Sequence, residues 1–124
     1  MDIGNTAAAL VLPTGSGDTV LFDSYTAFLG SRLDTFLLTR YEVMLDHDQA
    51  GTLKILKSDD GVTGFKVFQS YAIGAPGAGV VDGPVDVAVE GVPFLRVVWT
   101  NGGTNQTVWK PTQHMTEKQR AAQS

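Results

Sequence analysis

Apolar and polar residues alternate with a period of two through most of this chain, the pattern of half-buried β-strands. Tyr41, Val43 and Leu45 alternate against Arg40, Glu42 and Met44, which predicts one long strand over 35–45. A turn over 46–51 follows, and 52–57 returns as a strand with Leu53 and Ile55 facing one way and Lys54 the other. Ser58-Asp59-Asp60-Gly61 breaks it. Over 64–73, Phe65, Val67 and Tyr71 alternate with Lys66, Phe68 and Ser70, so the first set is expected to share a face. Val85, Val87 and Val89 oppose Asp86 and Glu90. Leu95, Val97 and Trp99 then alternate with Arg96 and Thr100 until Asn101-Gly102-Gly103. Asn-Gly tolerates positive φ, so a tight hairpin is expected there, with 106–110 as the closing strand. Thr19 to Phe22 reads as a further short strand. Over 24–33, Tyr25, Phe28 and Leu29 sit at helical spacing, but Gly30 interrupts after one turn. This stretch is read as a packed loop carrying aromatic anchors.

Several short strands punctuated by Gly, Pro, Asn and Asp indicate an all-β, antiparallel β-sandwich. No stretch between strands is long and periodic enough for a crossover helix, which excludes a parallel α/β sheet. The ends differ from the middle. Residues 1–17 alternate small apolar and small polar groups, which suits either disorder or an extended N-terminal arm lying on a partner, with Leu10, Val11 and Leu12 as its apolar contacts. After Pro111 the chain turns polar, and 112–124 is expected as a short C-terminal tail. Thr116 and Gln119 stand at capping-box spacing there, without an apolar stripe. The expected domain is therefore 18–111.

A length of 124 residues makes one domain with a real core. The absence of cysteine removes disulfides, thiolate metal sites and cysteine nucleophiles. Charged residues are only 18%, with 14 glycines, a composition suited to a β protein partly covered by neighbours. The net charge is −4 and the nine Lys and Arg are scattered, which disfavours binding to a phosphate backbone. The apolar run from Ala7 to Leu12 is short and preceded by Asp2, so it lacks the signal-peptide pattern, and no run approaches a membrane span. A soluble protein without nucleic-acid or membrane partners is expected.

The segments AGTLKILKSDDG (50–61) and FLRVVWTNGGTNQT (94–107), taken as a pair, resemble a small β-sandwich module of tailed-bacteriophage virion structural proteins. The likeness covers about residues 34–110. It implies a jelly-roll-like sandwich. It also implies a role on the virion, foremost as a capsid decoration (cement) protein on the outer shell, made in the host cytoplasm. The implied partners are the major capsid protein and other copies of the chain, with a homotrimer favoured. A tail, baseplate or fibre component is the alternative within the virion, and a carbohydrate-binding module the alternative outside it.

Candidate chemistry is sparse, and no enzymatic activity, cofactor or metal is expected. His47, within Asp46-His47-Asp48, reads either as a His–carboxylate or metal pair or as a solvated hairpin tip, the tip being favoured. His114 lies in the expected tail. Asp59 and Asp60 could join Asp46 and Asp48 around a cation if their loops converge, but turn-capping is favoured here too. Trp99, Trp109, Tyr41 and Tyr71 could form a sugar-stacking platform. Core packing is favoured for Trp99, while Trp109 is the best candidate for exposed stacking or for partial burial at an interface. Arg96 is expected on an outer sheet face as an interface anchor, beside the aromatic anchors Tyr25 and Phe28.

Overall fold

A computed structural model describes residues 2–7, 12–30, 38–75 and 82–117, with the backbone alone for 2–7 and 82–84. Eight strands and one helical turn follow in order: β1 (Asp2–Ala7), β2 (Asp18–Asp23), α1 (Ser24–Ala27), β3 (Leu38–His47), β4 (Gly51–Ser58), β5 (Lys66–Ile73), β6 (Asp82–Ala88), β7 (Phe94–Asn101) and β8 (Trp109–Glu117). They form two four-stranded antiparallel sheets, ordered β1-β8-β3-β6 and β2-β7-β4-β5. This interleaving, with the first strand beside the last, is that of a jelly roll. The pairs β1/β2, β3/β4, β5/β6 and β7/β8 occupy matching positions in the two sheets, and only β4 and β5 are consecutive within one sheet.

The core lies between the sheets and follows the period-two rows. Tyr41, Val43, Leu45, Leu53, Ile55, Leu95, Val97 and Trp99 are all buried, as their alternation predicts. A buried polar link also crosses between the sheets. The Tyr41 hydroxyl donates to Gln113 Oε1 in the same sheet, and Gln113 Nε2 donates to the Leu21 carbonyl of β2 at 2.9 Å. Both ends of the glutamine amide are thereby satisfied, as burial requires.

The structure corrects the expectations at both ends. Residues 2–7, expected within an arm, are the edge strand β1, paired from Asp2↔Thr116 to Ala7↔Thr112. Residues 13–17 bond to the 101–106 loop through Gln106 N–H to the Pro13 carbonyl and Gly103 N–H to the Gly15 carbonyl, both 3.0 Å. Residues 112–117, expected as tail and incipient helix, belong to β8, a central strand between β1 and β3. A sheet needs backbone donors and acceptors on both sides of a central strand, and here the terminal segments supply them for each other.

Two turns also differ. Asn101-Gly102 is no hairpin, because β7 and β8 lie in different sheets and the positive φ falls on Gly103 (107°). Gly102 is required for another reason: its N–H bonds to the Ala50 carbonyl at 3.0 Å, and a Cβ there would stand 2.6 Å from that oxygen. In β5, a bulge lies between the Ile55↔Gln69 and Leu56↔Val67 pairs. One extra residue reverses the facing of what precedes it. Phe68 and Tyr71 therefore pack on the core, while Val67 is exposed. The stretch over 24–33 begins as one helical turn, capped by Asp23, whose Oδ1 accepts from the Tyr25 N–H. The Gly74–Gly79 connection lies outside the described residues beyond Ala75.

Candidate functional site

The two segments that carry the virion resemblance build opposite ends of the sandwich. At one end Asn101, the last residue of β7, is buried and makes four side-chain hydrogen bonds. Its Nδ2 donates to the carbonyls of Gly15 (2.7 Å) and Thr104 (2.8 Å), and its Oδ1 accepts from Trp99 Nε1 (3.2 Å) and Gln106 Nε2 (2.9 Å). Gln106 extends the network to the β3–β4 turn. Its Oε1 accepts from the backbone N–H of Asp48 and Gln49, and its Nε2 also donates to the Gln49 carbonyl. Asp48 in turn accepts from Thr107 N–H, Thr107 Oγ1 and Val108 N–H at 2.6–3.0 Å. These donors hold its carboxyl well below the usual carboxylate range, the Thr107 hydroxyl first among them and the Val108 N–H next. The polar letters of TNGGTNQT are the fastening of three loops.

His47 is part of this end and is buried, against the expectation of a solvated tip. It continues the inward row of Tyr41, Val43 and Leu45. Its ring packs edge-on to Trp99 at 5.3 Å, and Nδ1, facing the Gln49 carbonyl at 2.8 Å, carries the proton. Trp109 is likewise buried, at 8% exposure, with its ring 5.3 Å from Trp99. The expected exposed stacking position is thus filled core, because β8 turns Trp109 inward opposite His47. With Tyr41 and both tryptophans inside, the sugar platform considered from sequence does not form.

Ser58-Asp59-Asp60-Gly61 closes the other end. Asp60 accepts from the N–H groups of Val62 and Thr63 and from Thr63 Oγ1, all at 2.8 Å. Those bonds, led by the Thr63 N–H, hold its carboxyl well below the ordinary range. Ser58 Oγ accepts from Gly61 N–H and donates to the Thr63 carbonyl. Eight residues of β4 at ~3.3 Å each separate this turn from Asp46 and Asp48, so the four aspartates do not converge. Among the described residues, no three His, Asp or Glu side chains cluster to hold a metal.

Three of the exposed apolar residues lie at this second end, while Leu12, Val20, Met44 and Val108 are exposed elsewhere. Tyr25, on α1, lies 5.7 Å from the Phe94 ring and is 40% exposed. It packs so closely on the Asp-Gly turn that a Cβ on Gly61 (φ 78°) would sit 2.5 Å from its Cδ2. On its other side a Cβ on Gly30 would touch the same ring at 3.6 Å. Leu29 and Val62 neighbour those two glycines and are 95% and 60% exposed. Leu29 is also the one described non-glycine residue with positive φ, at 54°. A leucine held there stores backbone strain while its side chain stands in water, two costs that a docking contact would offset.

The other expected interface residues are placed as follows. Arg96 lies on the outer face but is engaged within the molecule. Its guanidinium stacks over Phe65 at 3.9 Å and bonds to Asp23 Oδ2 at 3.1 and 3.3 Å. Phe28 packs edge-on to Phe22 at the flank of the core. Leu12 is exposed, and Leu10 and Val11 lie outside the described residues. Leu29 was expected to pack within its loop, not to stand exposed, and Val62 was not singled out by the sequence reading. The legible signal was an aliphatic residue beside a glycine at a turn tip, where a polar residue is the rule. Among the described residues no helix is long and apolar enough to cross a membrane.

No protein-family model matches the sequence, and no curated protein does. The fold is similar to the crystal structure of the PBSX exported protein XepA, with a TM-score of 0.72 and 16% sequence identity. The match covers 95% of this chain and 38% of that one.

Proposed function

From that likeness over nearly the whole chain, to a protein of the phage PBSX, we propose that this protein is a bacteriophage virion structural component without enzymatic activity. The finer reading is a capsid decoration protein that binds the outer shell and bridges neighbouring major capsid subunits. The Leu29, Tyr25 and Val62 tip supplies the contact, seated in an apolar socket of the shell. Fully burying one leucine contributes about 1.5–3 kcal/mol, repeated at every site of a symmetric lattice. Self-assembly into trimers on the shell belongs to the same reading.

A tail, baseplate or fibre component is the second reading. It is favoured by one observation: in the PBSX protein the matching fold occupies 38% of a longer chain. Immunogold labelling of phage particles against the protein separates the two. Label on heads supports decoration, and label on tails supports the second reading. Particles that carry no label, from cells that express the protein, overturn both.

A further inference from the structure

At the Ser58 end a cleft of about 510 Å³ opens between the β4–β5 turn and the β6–β7 turn. Lys57, Lys66, Phe68, Asp59, Glu90 and Val92 are among its lining residues. Lys57 and Lys66 are direct cross-strand partners of β4 and β5, so their side chains leave the sheet on the same side. Lys57 continues the inward row of Leu53 and Ile55, and its ammonium lies 5.5 Å from the centre of the Phe68 ring. Among the described residues neither lysine forms an ion pair. Like charges directly opposed across a ladder destabilise the pair. An oxyanion between the two ammonium groups turns that repulsion into attraction.

The rest of the cleft restricts what can carry the oxyanion. Gly64 (φ 66°) and Gly91 (φ 85°) line it with bare backbone, and nothing lies within 4 Å of where their Cβ atoms would be. Asp59 and Glu90 stand on the same walls, and Asp59 offers hydrogen-bond acceptors. Their charge opposes a polyanion, yet suits hydroxyl groups beside a single negative charge. Phe68 and Pro93 add an apolar surface of the kind a sugar ring covers.

We infer that this cleft binds a polyol bearing one oxyanion, a sugar acid or a sugar phosphate. Lys57 and Lys66 hold the oxyanion, and Asp59 accepts from the hydroxyls. The assignment stands apart from the virion reading and is tested on the full chain alone. Backbone amide NMR shifts are followed at fixed ionic strength against glucuronate, glucose 6-phosphate and glucose. The expected result is saturable shifts at Lys57, Gly64, Lys66 and Gly91 with at least one of the two anions, and a response to glucose weaker by about tenfold or more. Whichever anion binds tighter identifies the carboxylate or the phosphate as the natural group. The double variant Lys57→Gln/Lys66→Gln, which relieves a repulsion and so keeps the fold, is expected to lose about tenfold in affinity or more. Lys54→Gln, on the opposite face of the same strand, is expected to bind as the parent does. Absence of saturable shifts with both anions, equal response to glucose, or equal weakening by Lys54→Gln overturns the inference.

Discussion

The indole N–H of Trp99 donates to the side-chain oxygen of Asn101 at 3.2 Å, joining two residues that share the inward face of one strand. Trp99 is fully buried, and its side chain's only polar atom is thereby satisfied next to its ring contact with Trp109. The same oxygen receives Gln106, and so links core packing to the closing of three loops.

Replacing Asn101 by alanine removes its amide, so that the Trp99 indole N–H loses its acceptor and the Thr104 carbonyl its donor. At about 1–3 kcal/mol for each unsatisfied group, Asn101→Ala is expected to destabilise by about 3 kcal/mol in urea unfolding. A loss below about 1 kcal/mol would mean that the loops close without it.

Gly51 allows the β3–β4 turn to lie against the Trp99 ring, where a Cβ would overlap the ring carbons and approach the Thr100 carbonyl. Gly51→Ala is expected to cost about 1–3 kcal/mol by overpacking. Gly74→Ala is the control, since nothing lies within 4 Å of its Cβ position. It should be neutral or slightly stabilising. Gly102→Val is expected to destabilise through collision with Ala50, where a hairpin turn is not involved.

Asp48 and Asp60 have folded pKa values depressed below the unfolded carboxylate value of about 3.9. The unfolded chain therefore takes up protons first as pH falls, and stability present above about pH 4 is lost below it. Denaturation curves at pH 6 and pH 3 should show this decline. Asp48→Asn should be less stable at pH 6 and show a shallower decline. An unchanged slope would exclude Asp48 from the acid limb.

Leu29 pairs exposure with an unfavourable backbone. Asparagine accepts positive φ more readily, so Leu29→Asn is expected to raise stability by about 1 kcal/mol in urea unfolding. The same variant should bind phage particles more weakly in a co-sedimentation assay. A stabilised variant with undiminished binding would remove Leu29 from the docking tip.

Trp109 separates core from surface by mutation. As a buried ring against Trp99, it should cost about 3–5 kcal/mol on truncation to alanine, measured by thermal or urea unfolding. A surface stacking residue would cost a fraction of that.

Most of the sandwich was legible because its inward rows are purely apolar, as in Tyr41-Val43-Leu45 and Leu95-Val97-Trp99. β8 hid for the opposite reason. Its inward row is Trp109, Pro111, Gln113, Met115 and Glu117, in which only two residues announce a core. Gln113 can be buried because Tyr41 and Leu21 wait for its amide, and partners from other strands leave no local trace. The bulge at Phe68 was invisible likewise, since a one-residue offset is set by the partner strand. The TNGGTNQT and SDDG segments were correctly seen as distinctive. SDDG closes the β4–β5 hairpin as read, whereas the role of TNGGTNQT was misread as hairpin chemistry because the bonds of Asn101 and Gln106 reach residues 15, 48 and 49, far along the chain. The proposed docking tip was half legible: Tyr25 stood out as an aromatic, whereas Leu29 and Val62 gain meaning only from their exposure.

Asp2 sits opposite Thr116, so the polypeptide enters and leaves the fold at neighbouring points on one margin. Tension applied at those two points would load the β1–β8 ladder one pair at a time, like a zipper drawn from its open end, instead of shearing all its bonds together. Under pull β1 would peel away first, while β8 stays anchored to β3 through nine further pairs. The mechanical threshold of the module is thus set by a six-residue strand. The same adjacency would let it be spliced into a surface loop of another protein without stretching the host.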